Sequence, residues 1–217
     1  MSDRAVGIPI VREGWPFVAA GGGASALAAL AGWWVPSVIL VGLTLFTAWF
    51  FRNPRRVCLA VPGTVVAPGD GRVIAIEEEF EPRFLKDRSI RISIFLNVFN
   101  VHVNRIPCTG TVESVNYQPG EFLAANHREA TLRNEQNAIV IRTANNIKVL
   151  CVQVAGLLAR RIVCWVTAGE FVRCGDRFGL IRFGSRMDTF VPVGTKIAVG
   201  VGDKVKGGIT PLGQLAA

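Results

Sequence analysis

Ser185, directly after Gly184, is the residue whose type and setting most plainly permit chemistry. A serine hydroxyl beside a glycine carbonyl can attack it. The acyl group then moves from nitrogen to oxygen, and the resulting ester can eliminate. Glycine lacks a Cβ and tolerates the strained backbone that such an attack requires. Gly-Ser is also a common turn dipeptide, so the pair by itself leaves both readings open. A serine used in this way needs a base, and the chain has only two histidines, His102 and His127. His102 lies in Asn97-Val98-Phe99-Asn100-Val101-His102-Val103-Asn104-Arg105, a polar-studded run after an apolar stretch, as expected of a cleft or loop. It reads either as a structural hydrogen-bonder or as a proton carrier. His127, in Asn126-His127-Arg128-Glu129, reads as a binding residue or as a loop residue. Asp70 sits in Pro68-Gly69-Asp70-Gly71. That pattern spells a tight turn, and equally a carboxylate presented at a strand end. Asp70, His102 and Ser185 together would make a proton-relay set. The histidine takes the hydroxyl proton, and the carboxylate fixes its tautomer.

The elements that must position these residues fall into two kinds. Residues 15–51 run without one charge, long enough for two apolar helical arms, expected at 15–34 and 35–51 with the break at Pro36. Trp15, Trp33, Trp34 and Trp49 lie near the arm ends, where indoles favour a headgroup layer. Gly21, Gly22 and Gly23 weaken the first arm as a helix. Arginines flank both ends (Arg4, Arg12; Arg52, Arg55, Arg56), so the charge bias puts both ends on the cytoplasmic side of a cell membrane. The arginines after the second arm would meet an anionic membrane surface. From residue 57 onward the pattern changes to short β-branched runs between Gly, Pro and Asp. Strands are expected at 63–67, 71–76, 90–96, 110–115, 138–141, 147–154, 178–181 and 197–199. Turn signals at this spacing predict a mainly β domain, an antiparallel sandwich or barrel, behind an apolar helical hairpin. Residues 157–165 fit a short helix or a buried strand.

Composition narrows the classes. The chain has 217 residues, half of them apolar, and a formal net charge of +8. The sequence pI is about 9.9 and the mean hydropathy +0.38. An anionic partner follows. Nucleic acid is disfavoured, because clustered aromatics among Lys and Arg are missing and the apolar hairpin points to a membrane. Five cysteines, scattered and odd in number, form no Cys-x-x-Cys pair, which argues against a disulfide framework and against a zinc site.

Several motifs in order carry a resemblance. They are Phe51-Arg52-Asn53-Pro54-Arg55-Arg56, Ala67-Pro68-Gly69-Asp70-Gly71, Phe99-Asn100-Val101-His102-Val103-Asn104-Arg105-Ile106-Pro107, Tyr117-Gln118-Pro119-Gly120 with Asn126-His127 and Arg133-Asn134-Glu135, and Phe183-Gly184-Ser185-Arg186. In this succession the chain resembles the phosphatidylserine decarboxylases, pyruvoyl enzymes, in their short membrane-associated form, over nearly its whole length. The long bacterial form has Leu-Gly-Ser-Thr at the cleavage site, where this chain has Phe-Gly-Ser-Arg. It also has a second histidine where this chain has Arg105.

The resemblance implies that Ser185 attacks the Gly184 carbonyl, with Asp70 and His102 as relay partners, and becomes a pyruvoyl group. The products would be residues 1–184 and 185–217, held together as a heterodimer, with a membrane hairpin over 1–56 and the catalytic domain over 57–217. The pyruvoyl ketone would form a Schiff base with phosphatidylserine in the bilayer. It would act as the electron sink for decarboxylation to phosphatidylethanolamine and CO₂, with no metal and no exogenous cofactor. His102 would carry the proton to the carbanion, and His127, Arg105 or Arg186 would contact the substrate. Two rivals stand beside this reading. A biotinyl/lipoyl-like β-module would fit the Gly-Asp-Gly turns, but it needs a presented lysine, and Lys196 and Lys204 read as surface residues. A Ser/His/Asp hydrolase would retain its serine.

Overall fold

The computed structural model describes residues 9–59, 61–120, 134–156, 162–182 and 185–216. The chain divides into two compact units, residues 1–55 and 56–217.

The first unit is a pair of helices, α1 (Trp15–Leu30) and α2 (Trp34–Phe50). The break falls at Gly32, with φ +77°, rather than at Pro36. A positive φ suits glycine. Pro36 sits in the first turn of α2, where its missing N–H leaves no intrahelical bond unmade. The three glycines lie inside α1. A Cβ on Gly21 would come within 2.4 Å of the Thr44 hydroxyl, so glycine is what lets the helices approach. Ser37 Oγ donates to the Ser25 carbonyl across the pair at 2.9 Å. At 1.5 Å per residue the helices span roughly 24–26 Å, short of the ~30 Å hydrocarbon layer. Among the described residues no helix is long and apolar enough to cross a membrane. Leu30, Trp33, Trp34, Val35 and Val38 are nonetheless exposed.

The second unit is all β among the described residues. Its strands are β1 (Thr64–Val66), β2 (Gly71–Glu81), β3 (Asp87–Leu96), β4 (Val103–Arg105), β5 (Gly110–Gln118), β6 (Gln136–Arg142) and β7 (Lys148–Val154). They continue with β8 (Ile162–Cys164), β9 (Phe171–Val172), β10 (Arg177–Ile181), β11 (Ser185–Pro192), β12 (Lys196–Ile197), β13 (Lys204–Val205) and β14 (Pro211–Gln214). An eight-stranded antiparallel sheet in the order β13-β2-β3-β11-β7-β6-β5-β9 carries the fold. Two three-stranded sheets, β1-β14-β12 and β4-β10-β8, complete it. The ambiguous stretch at 157–165 contributes β8, and its residues 157–161 lie outside the described part.

Both faces of the large sheet are buried where β11, β7 and β6 run side by side, so β7 reads as a nearly continuous apolar run, whereas β11 buries the paired Arg186 and Asp188 among its apolar residues. Ile92, Ile94, Leu96, Ile139, Ile141, Val149, Cys151, Met187 and Val191 form the main core on one face. Ala138, Val140, Leu150, Val152, Val154 and Phe190 form a second cluster on the other, covered by Phe84 and Leu85. The turn bearing those two is organised by the Glu81 carboxylate, which accepts the backbone N–H of Arg83, Phe84 and Leu85 at 2.7–3.1 Å.

Candidate active site

Ser185 opens β11 and is fully buried. Its ladder partner on β3 is Leu96, the last residue of that strand. Side chains alternate along a strand, so Ser185 shares its face with Met187 and the main core. The Ser185 Oγ has no hydrogen-bond partner among the described residues. Such a hydroxyl is unusual, because buried polar groups are generally paired.

His102 reaches the same corner from the loop after β3. It is buried, and its Nε2 lies 3.0 Å from the carbonyl oxygen of Asn97, the residue immediately after Leu96. A carbonyl only accepts, so Nε2 carries the proton, and in the neutral ring Nδ1 is the lone-pair nitrogen. The His102 carbonyl accepts from Ile181 N on β10 at 3.4 Å. The strand end opposite Ser185 is therefore the strand end on which the imidazole hangs.

Asp70 goes elsewhere. Its two carboxylate oxygens receive Nη1 and Nη2 of Arg56, the latter at 2.7 Å, and Gly207 N donates to it at 2.8 Å. Among the described residues no hydrogen bond joins Asp70 to His102. This also changes Arg56: it holds Asp70 and the Gly207 carbonyl and is 9% exposed, so it is not available to lipid headgroups. Arg55 is exposed, and Arg52 lies over the Trp49 ring at 3.8 Å.

Arg105, on β4, is buried, and its Nη1 donates to the Gly175 carbonyl at 2.9 Å. Burial first, and then the nearby Arg56 and Arg177 cations, push its pKa down to about 10, with Asp70 and Asp176 opposing. Arg186 alternates to the face opposite Ser185, where Asp188 holds its guanidinium at 2.9 Å. Gly184 and His127 lie outside the described residues. A cavity of about 420 Å³ lined by Val61, Thr64, Cys108, Thr143 and Leu215 contains neither Ser185 nor His102.

Residues 43–213 match the family model described as phosphatidylserine decarboxylase. The chain belongs to the phosphatidylserine decarboxylase family. Among its relatives named phosphatidylserine decarboxylase proenzyme, that of Syntrophus aciditrophicus is 50% identical over 206 residues, covering 94% of this chain and 96% of the relative. That of Geotalea daltonii is 47% identical over 206 residues, covering 95% and 96%. That of Nitrosomonas europaea is 49% identical over 201 residues, covering 90% of each. The stretch that matches the decarboxylase model includes Asp70, His102 and Ser185.

Sequence reasoning missed a chain of buried amides beside this corner. Asn137 Nδ2 donates to Gln153 Oε1 at 2.9 Å, and Gln153 Nε2 donates to Asn104 Oδ1 at 2.8 Å. The available signal was Gln153 itself, one polar residue in the otherwise apolar second half of β7.

Proposed function

We propose that this decarboxylase-family chain is made as a proenzyme, cuts itself between Gly184 and Ser185, and then converts phosphatidylserine to phosphatidylethanolamine and CO₂. The carrying observation is the buried Ser185 hydroxyl without a partner, set opposite the strand end that holds His102. A buried orphan hydroxyl fits a residue whose side chain is consumed in making the prosthetic group.

In this reading His102 accepts the hydroxyl proton through Nδ1 as Ser185 Oγ attacks the preceding carbonyl. The peptide C–N bond breaks and an ester takes its place. Loss of the Ser185 Cα proton expels the carboxylate of residue 184. The dehydroalanine left behind takes up water and releases ammonia to give the pyruvoyl cap. That cap, on residues 185–217, supplies the electron sink for loss of the substrate's α-carboxylate. His102 returns a proton to the substrate carbon. The Asn97 carbonyl holds the ring, and the surrounding apolar core excludes water from it. Asp70 acts in this reading through the Arg56 pair rather than on the imidazole. For the lipid phosphate Arg105 ranks ahead of Arg186, which faces away from Ser185.

Residues 1–56 serve as the membrane-anchoring part, placing residues 57–217 on the cytoplasmic face of the cell membrane. The exposed apolar side chains of α1 and α2, with Arg52 and Arg55, support surface attachment through anionic headgroups. Intact-mass measurement tests the reading. Wild-type protein should appear as two chains, 1–184 and 185–217, the smaller with a blocked N-terminus. Ser185→Ala should remain one chain and release no CO₂ from phosphatidylserine vesicles. A single wild-type chain that decarboxylates with Ser185 intact refutes it.

A further inference from the structure

The fold brings together two cysteines that stand 116 positions apart in the sequence. The sulfurs of Cys58 and Cys174 lie 2.7 Å from each other, and both side chains are half-buried. A disulfide bond is ~2.05 Å long, so the two sulfurs need to approach by only about 0.7 Å. The backbone on each side is fixed independently of them. Two residues before Cys58, Arg56 is held by Asp70 and by the Gly207 carbonyl. Cys174 lies in the turn between β9 and β10, where the Asp176 carboxylate accepts the Arg173 N–H and Asp176 N donates back to the Arg173 carbonyl, both at 3.0 Å. The Cys174 N–H donates to Thr109 Oγ1 at 3.0 Å. Next comes Gly175, with φ +84°. A Cβ there would come within 2.7 Å of the Cys58 Cβ, so glycine is what lets Cys58 lie against the turn. The other cysteines are placed differently. Cys108 and Cys151 are buried in the main core, and Cys164 turns its thiol to the Val166 carbonyl at 3.7 Å.

We propose that Cys58 and Cys174 form a reversible disulfide site, closed by exchange with a small-molecule disulfide and reopened by thiols. Burial first, and then the Cys58 thiol beside it, push the Cys174 thiol up. Cys174 is thus a poor nucleophile toward reagents in bulk, and Cys58 opens the exchange. The Cys58 thiol gives its proton to solvent, and the thiolate attacks one sulfur of the small disulfide. The old S–S bond breaks, one small thiolate leaves, and a mixed disulfide remains on Cys58. Cys174 then loses its proton and attacks Cys58 Sγ, and the second small thiolate leaves. Both small thiolates take up protons, so the protein is oxidised by two electrons and the small disulfide is reduced to two thiols. The closed bond staples the first residues of the β unit to the β9–β10 turn. On the cytoplasmic face proposed above, where thiols are kept reduced, the pair rests open and closes when the disulfide pool rises. Both cysteines precede Ser185, so the bond lies within residues 1–184 and forms whether or not the chain is cut.

The test incubates native full-length protein with oxidised glutathione, then alkylates and digests it for mass mapping. A cross-linked pair of peptides holding Cys58 and Cys174 should appear, lighter than the separate peptides by two hydrogens, and dithiothreitol should remove it. Cys174→Ser should stop at a glutathione adduct on Cys58, and Cys58→Ser should leave Cys174 open to alkylation. In a Ser185→Ala background, where no chain is cut, closing a loop of this length should raise the thermal midpoint by roughly 5–15 °C over the reduced protein. Cys58→Ser should abolish that rise. Full alkylation of Cys58 and Cys174 after the exchange overturns the proposal, as does a cross-link that forms only in denaturant or that joins a different pair. A Cys58–Cys174 bond that leaves the midpoint unmoved overturns the staple. A glutathione adduct on Cys174 in Cys58→Ser overturns the order of the two steps.

Discussion

Asp70→Ala should destabilise the protein strongly, and the reason is Arg56. The two side chains are 9% and 14% exposed, so solvent screens the pair little. Removing one member of a buried pair leaves the other charge uncompensated, at a cost of about 3–5 kcal/mol. The Gly207 N–H loses its acceptor as well. At roughly 2–4 °C per kcal/mol for a chain of this size, the midpoint should fall by about 6–20 °C. Arg56→Ala should behave similarly, and the double variant should lose less than the sum, because the two residues share one interaction. Thermal unfolding in the Ser185→Ala background measures all three without interference from cleavage. The result that refutes the reasoning is a small shift, within about 2 °C, together with abolished cleavage when Ser185 is restored. The carboxylate would then act on the imidazole and not on Arg56.

Two further outcomes follow from single contacts. Glu113 is bonded to Lys148 at 2.8 Å and to Arg142, and the Lys148 bond first of all holds its carboxyl below the usual range. A depressed folded pKa contributes stability above the unfolded value near 4.5 that is lost as pH falls through the folded value. Glu113→Gln should therefore lower the midpoint at pH 7 by about 1–2 °C, and the deficit should shrink as the pH is lowered through and below the folded value, as thermal scans across that range would read. Gly179→Ala should reduce soluble yield and midpoint sharply, since its Cβ would meet the Val163 backbone oxygen at 2.2 Å, where β10 pairs with β8.

Strands were legible where β-branched runs between turn residues report local preference, but β4, β9, β13, β14 and the polar-studded β11 that begins at Ser185 carry no such run and were not foreseen. The run at 147–154 became β7 nearly residue for residue. Long-range partners were not legible. Nothing in Pro68-Gly69-Asp70-Gly71 announces that Arg56 closes on it, and the same arginine read in its local cluster looks like a lipid contact. Pro36 looked like a helix break because proline disrupts helix interiors, but three residues into α2 it does no damage, and Gly32 makes the turn. The pairing of His102 with a strand end opposite Ser185 depends on the β3–β11 register, which spacing alone does not encode. The buried amide chain is hidden in the same way, since Gln153 stands 49 positions after the Asn104 to which it donates.

The 33 residues from Ser185 onward supply β11, β12, β13 and β14. β11 lies between β3 and β7, β13 pairs with β2, and β14 lies between β1 and β12. A cut before Ser185 thus leaves a short peptide threaded through two sheets of the larger one. Such a nick would change the order of the folding reaction. Before it, folding is unimolecular and independent of dilution. After it, two separate chains would have to find each other, and recovery from denaturant should depend on protein concentration. Each molecule would have one opportunity to fold as a single chain, and only a chain that used it would reach the geometry that makes the cut.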